Sequence, residues 1–161
     1  MYLAGLIADS QKMSKEDFYN WIEKAYCHGL SDYTVAPVLA KSNFAQKIAD
    51  EWINSQNELY QSAGWTCYCQ LLKSKNQNNI SKEKLIYYLH KIQLNIHQSA
   101  NRARYSMNNF VIAVGIFYTP LQTMALEVAN NIGKINVDMG ETNWKTPLAT
   151  KYIQSAISKN K

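Results

Sequence analysis

The sequence predicts an all-α fold in one domain over residues 1–161, built from paired helices joined by short links. Three observations point there. Glycine (6) and proline (3) are scarce, whereas all-β and doubly wound αβ domains of this length need more turn residues. Apolar residues recur at spacings of three and four along most of the chain, the period of a helix buried on one face. Hydrophobic residues make up 47% and charged residues 18%, enough apolar material for a core and too much for a disordered chain.

The elements follow in order. MYLAGLIA reads as the last turns of a helix, and Asp9 to Met13 as a loop. Ser14 and Asp17 form a short version of a capping box and start a helix to about Tyr26, with Phe18, Trp21, Ile22 and Ala25 on one face. His28-Gly29-Leu30 breaks it, and Ser31 caps a short helix from Asp32 to about Ala40. Pro37 lies inside that helix, so a kink or a 3₁₀ turn is predicted there. Ser42 or Asn43 opens the next helix, striped by Phe44, Ile48, Trp52 and Ile53. After a turn near Ser55, Leu59 to Lys73 is helical, and KSKNQNN (73–79) is a polar loop. Ser81 caps a helix to about Gln98. Asn101 caps another through Tyr118, whose centre FVIAVGIFY is apolar all round and therefore buried. The same run suits a buried strand by local propensity, but it grows out of a polar, capped first turn. Pro120 opens a helix ending near Gly133, Ile135 to Lys145 is an irregular loop, and Thr146-Pro147 opens the last helix, to about Ser158. Helix pairs thus recur about every forty residues, the period of HEAT or armadillo repeats. A compact helical bundle satisfies the same periodicity.

The net charge of +5 and pI of about 9.0 favour acidic partners, nucleic acid before anionic membrane. An ordinary protein that happens to be basic fits equally. Three cysteines, an odd number without regular spacing, argue against a disulfide framework and for a reducing compartment. The chain has no apolar run of membrane-spanning length, and Met1 to Ala8 lacks the basic start and cleavage site of a signal peptide. A cytoplasmic location without membrane attachment is the expectation.

No familiar pocket chemistry is encoded. GxSxG, a glycine-rich phosphate loop and HExxH are all missing. His90 and His97 sit two turns apart, too far to share one metal ion, and Cys67-Tyr-Cys69 lacks CxxC spacing. Neither metal nor cofactor is expected. The informative cations are Arg102 and Arg104, the only arginines among seventeen basic residues. Both lie in NRARYSMN at a helix start, where outward N–H groups and the local field favour an anion. A guanidinium matches phosphate oxygens, and Asn101 and His97 are close in sequence. Packing and ion pairing between helices is the plainer reading. VDMGETNWKTP (137–147) carries Asp138, Glu141, Thr142 and Lys145 around a glycine. Such a loop is either functional or a connector held by its own hydrogen bonds.

The phrases NRARYSMNNFVIAVG and IGKINVDMGETNWKTPLATKYI resemble the C-terminal half of bacterial DNA alkylation repair proteins of the AlkD-like family. MYLAGLIAD, LSDYTVAPVLAKS and WINSQNELYQSAGW resemble earlier stretches of it. The resemblance implies a right-handed α-solenoid of HEAT-like pairs with a basic face for double-stranded DNA, alkylated or not. It also implies that helices of the family preceding MYLAGLIAD are lacking here. Asn101, Arg102, Arg104, Thr142 and Lys145 become the DNA-binding candidates. The family's founding activity is removal of cationic alkylpurines, in which an aspartate stabilises the developing sugar cation and tryptophans contact the cationic nucleotide.

Asp32 falls near the family's aspartate and is the catalytic candidate. His28 and Asn109 stand near the two tryptophan places, and Gln61 near a backbone-holding arginine. This pattern implies a DNA-binding protein with altered, weak or absent glycosylase activity. An active enzyme would need another aromatic near Asp32, such as Tyr26 or Tyr33. The alternative is a non-catalytic HEAT-like scaffold for a protein partner.

Overall fold

The computed structural model describes residues 1–74 and 79–159. Among these residues the chain is helical with no strand. The helices are α1 (Tyr2–Ile7), α2 (Lys15–Glu23), α3 (His28–Leu30), α4 (Ala36–Leu39), α5 (Ala45–Ile53), α6 (Glu58–Lys73), α7 (Lys82–Asn95), α8 (Asn101–Phe117), α9 (Gln122–Ile132) and α10 (Ala149–Lys159). A π-helical turn, Ser31–Val35, joins α3 to α4, and 3₁₀ turns at Ile96–Gln98 and Thr119–Leu121 follow α7 and α8. Most of the polar loop predicted over 73–79 lies outside the described residues. No single described helix is long and apolar enough to cross a membrane. The described residues gather into two compact units, 1–71 and 72–161.

In the first unit, the capping box at α2 forms as the sequence predicts. Ser14 N–H donates to Asp17 Oδ2 at 2.8 Å, and Asp17 N–H to Ser14 Oγ at 3.2 Å. The Ser14 N–H and the Ser14 hydroxyl, which donates to the same Oδ2 at 2.8 Å, hold the Asp17 carboxyl below its ordinary pKa. α2 ends at Glu23, three residues before the predicted Tyr26.

The next segment corrects the sequence reading. His28-Gly29-Leu30 is the first turn of a helix and not a break, Cys27 is its N-cap, and Ser31 lies inside it. The chain then winds as a π turn before Pro37, with Ala36 N–H reaching back to Ser31 O. Pro37 lacks an N–H, and its ring collides with the carbonyl four residues back in a regular helix. Widening the preceding turn to the i→i+5 pattern relieves both problems. The predicted disturbance at Pro37 is therefore present, as a π turn and not a kink or 3₁₀ turn. It faces Ser31, Asp32, Thr34 and Val35 inward.

Ser42 does not cap α5 directly; Phe44 is the N-cap. The Ser42 hydroxyl donates to Leu39 O at 2.8 Å and accepts from Phe44 N–H at 3.2 Å, fixing the turn between α4 and α5. α5 and α6 approach unusually closely at Gly64. A Cβ there would sit 2.9 Å from Ala49 O and 3.0 Å from Ile53 N, both backbone atoms. Tyr68 donates to Asp50 across the same pair, and Tyr19 and Tyr60 meet buried Trp52 edge-on at 6.1 and 5.8 Å.

The second unit is organised around α8, whose residues from Met107 to Gly115 are buried apart from half-buried Asn109. The predicted apolar helix is thus the core element of this unit. Phe110 meets Tyr88 of α7 edge-to-face at 6.1 Å. Gly115 lets α10 dock: a Cβ there would lie 2.6 Å from the buried Ile153 side chain. α9 ends at Gly133, whose φ of +60° is a conformation side-chain-bearing residues rarely adopt. From there the chain runs through an irregular loop, 133–148, before α10. The last helix opens at Ala149 and not at Thr146-Pro147.

Candidate nucleic-acid interface

The loop between α9 and α10 is fastened at both ends to one helix. Asn101, the first residue of α8, grips Asp138 in both directions: its Nδ2 donates to Asp138 O at 2.8 Å, and Asp138 N–H donates to its Oδ1 at 2.7 Å. Seven residues on, Asn108 donates from Nδ2 to Pro147 O at 2.9 Å. Residues seven apart lie on one helix face two turns apart, so the two amides anchor the loop to the same side of α8. Local bonds stiffen it further. Gly140 N–H donates to Asp138 Oδ1 at 2.8 Å, and the Thr142 hydroxyl donates to Met139 O at 2.9 Å. At the end of α9, His97 Nε2 lies 2.9 Å from Ile132 O.

Two sequence expectations change here. Asn101 does not cap α8; Ala100 is the N-cap, without a side-chain bond. The amide finds a better partner in Asp138, 37 residues away. The expected convergence of Arg102, Arg104 and His97 also does not form. Arg102 stacks over the Tyr105 ring at 4.6 Å and directs Nη1 to Met139 Sδ at 3.5 Å, while the His97 ring is committed to Ile132.

Arg104 turns the other way and lines an open cleft of about 460 Å³ together with Asn101, Lys134, Asn136, Trp144 and Lys145. Asp138 and Thr146 also line it, so three cations face one carboxylate. Lys134 and Lys145 are exposed and carry no ion pair among the described residues. The Arg104 Nε–H is buried with no acceptor among the described residues, while its Nη2 reaches Asn101 Oδ1 at 3.4 Å. Of the five DNA-binding candidates, the structure brings Asn101, Arg104 and Lys145 together. Arg102 and Thr142 do not line the cleft. Lys134, Asn136 and Trp144 were missed; a lysine just past a helix-ending glycine and a tryptophan in a polar loop were the signals available.

Asp32 occupies a different environment. It is 3% exposed. Ser31 Oγ donates to its Oδ1 at 3.0 Å and Ser62 Oγ, from α6, to its Oδ2 at 2.7 Å. Around it, Tyr26 and Tyr33 are exposed, and Gln61, at the expected arginine place, donates to Ser55 O at 2.6 Å. Asn109, near the second tryptophan place, is half-buried on α8. Among the described residues, no three His, Cys, Asp or Glu side chains gather as metal ligands would. Cys67 is fully buried and burial pushes its thiol far above the usual range, so it is no nucleophile at neutral pH.

Comparison with known proteins agrees with the resemblance. The family model for the DNA alkylation repair enzyme matches residues 1–153. The uncharacterized protein Lin0241 of Listeria innocua is 32% identical over 97% of this chain and 67% of its own length. The uncharacterized protein Lmo0209 of Listeria monocytogenes is 32% identical over 100% of this chain and 69% of its own. A solved structure, from a new family of proteins related to the HEAT-like repeat DNA glycosylases with affinity for branched DNA structures, superposes with a TM-score of 0.93 at 42% identity. It covers 99% of this chain, which spans 68% of that one. The fold is therefore an all-α solenoid of the HEAT-like class, and the chain belongs to the DNA alkylation repair enzyme family.

Proposed function

We propose that this chain binds DNA, branched or otherwise distorted duplex before regular duplex, through the cleft beside α8, and that Asp32 serves the fold and not glycosidic chemistry. The observation that carries this reading is the set of cations, Arg104, Lys134 and Lys145, that line one cleft with a single carboxylate and form no ion pair among the described residues. Cations on a stiffened loop and the adjoining helix suit phosphate oxygens, and phosphate contacts dominate affinity for DNA. The affinity for branched DNA stated for the solved relative supports the choice of substrate.

The Asp32 geometry supports the non-catalytic half. A carboxylate that stabilises a sugar cation must meet it, and this one is buried with both oxygens accepting from serines.

Fluorescence anisotropy with a four-way junction and a duplex of equal length is the test. Binding is expected to weaken steeply as salt rises. The Lys134→Gln/Lys145→Gln double variant should lower the log–log salt slope by about 2. Absence of binding at low salt, or salt-insensitive binding, defeats the proposal. Release of free alkylbase from methylated duplex under single-turnover conditions, lost in Asp32→Asn, would restore the enzymatic reading. A stoichiometric protein partner without DNA retention would favour the scaffold.

A further inference from the structure

Trp144 is the one tryptophan among the four that stands in solvent. It is 75% exposed, whereas Trp52 and Trp65 are 1% exposed and Trp21 is half-buried. An indole left in water forgoes a large burial free energy, so packing within this unit does not account for its place. Nor does a local partner, because no ring contact or hydrogen bond engages it among the described residues. Its loop is nevertheless fixed at both ends by Asn101 and Asn108, so the ring is presented with little conformational freedom left to lose on binding.

The ring's surroundings identify what would cover it. An apolar peptide or a protein hydrophobic patch would find Ile135 and Val137 beside the indole, but would also bury Arg104, Lys134, Lys145 and Asn136 without polar partners. A nucleotide offers the complement, a flat π-face for the indole and an anion for the cations. Asn136 is exposed and supplies an amide with both donor and acceptor for a base edge. Arg104 lines the cleft beside Lys134 and Lys145, so its guanidinium adds a third cation for a phosphate placed there. A fully paired base has both faces stacked on its neighbours and shows no face to Trp144. An unpaired base does.

We infer that Trp144 is a stacking platform for one unpaired DNA base, whose phosphate is held by Arg104 and Lys145. The inference rests on the DNA-binding reading and narrows it: the recognised feature of a branched or distorted substrate is an exposed base. Stacking on an aromatic side chain depends little on which base it is, so recognition through Trp144 is tolerant of sequence.

The test uses the full chain and two probes of equal length, one a continuous duplex and the other the same duplex with a short single-stranded gap. Trp144→Ala should lose roughly five- to hundredfold in affinity for the gapped probe and markedly less for the continuous duplex. Trp144→Phe should retain most binding to both. Because the ring is exposed, both variants should unfold at the wild-type midpoint. Tryptophan emission should be quenched when oligo-dT binds, and that quenching should vanish in Trp144→Phe. Equal losses on both probes, or no loss on the gapped one, overturn the stacking role while DNA binding stands. A peptide or protein competing for the cleft, with the Trp144→Ala loss seen only for that ligand, overturns it in favour of a protein contact. Failure of the wild type to bind either probe at low salt overturns the DNA reading itself.

Discussion

Asp32 and Lys145 both stand where regular helix gives way, one in a π turn and the other in a loop, yet their surroundings are opposite. The π turn folds its polar groups inward: Asp32 accepts from Ser31 and Ser62, both fully buried. The loop folds its backbone inward and its side chains outward. Asn101 and Asn108 satisfy Asp138 and Pro147 from beneath, leaving Trp144 and Lys145 in water. A buried carboxylate bonded by hydroxyls is expensive to break and poorly placed to meet a ligand. Exposed cations on an anchored loop cost little to keep and are free to pair. In this chain, the position that family resemblance marks as catalytic is thus buried and bonded within the fold. The loop that reads as a mere connector leaves its cation and its indole exposed.

Substitutions can break that contrast. The largest effect is expected from Asp32→Ala, which removes the buried carboxylate that the Ser31 and Ser62 hydroxyls both bond. It should cost about 2–4 kcal/mol, or roughly 5–15 °C in Tm for a chain of this size, while affinity per folded molecule for DNA stays unchanged. Chemical denaturation and a binding titration on the same preparation check both halves. A stable Asp32→Ala variant that no longer binds DNA would reverse the assignment. Asn108→Ala should do the opposite. Loss of the bond to Pro147 O should cost about 1–2 kcal/mol, with faster amide exchange over 141–147 and weaker DNA binding. If exchange there is unchanged, the loop is held by other means.

The smallest expected effect is alkaline. The Tyr19 phenol is pushed up to about 12, chiefly by burial and then by its hydrogen bond to Glu51. Its unfolded value is about 10. The folded state therefore holds the proton more tightly, a contribution complete below pH 10 and lost as pH rises toward 12. Tyr19→Phe should show a shallower loss of stability over that window than wild type. Identical alkaline profiles would mean that the phenol titrates alike in both states.

The legible parts of this molecule were local. Ser14 and Asp17 lie three residues apart, so a capping box was readable and is present. The apolar run within α8 specified a buried helix whatever packed around it. Pro37 announced a disturbance, because its missing N–H belongs to the residue itself. The form of that disturbance did not follow from Pro37 alone, and neither did the bond that Asp32 in the π turn accepts from Ser62, thirty residues away. Asn101 shows the same limit. As a residue type it suits a cap, but an acceptor and a donor on Asp138, 37 positions away, compete for its amide and win.

Sequence by itself therefore determined the helices, their approximate ends, the basic charge and the family likeness, all of which depend on composition and neighbours within a turn or two. Only tertiary structure decided which polar groups are spent and which are free. That choice depends on whether a distant chain segment supplies a partner and excludes water, as α6 does for Asp32 and as nothing among the described residues does for Trp144.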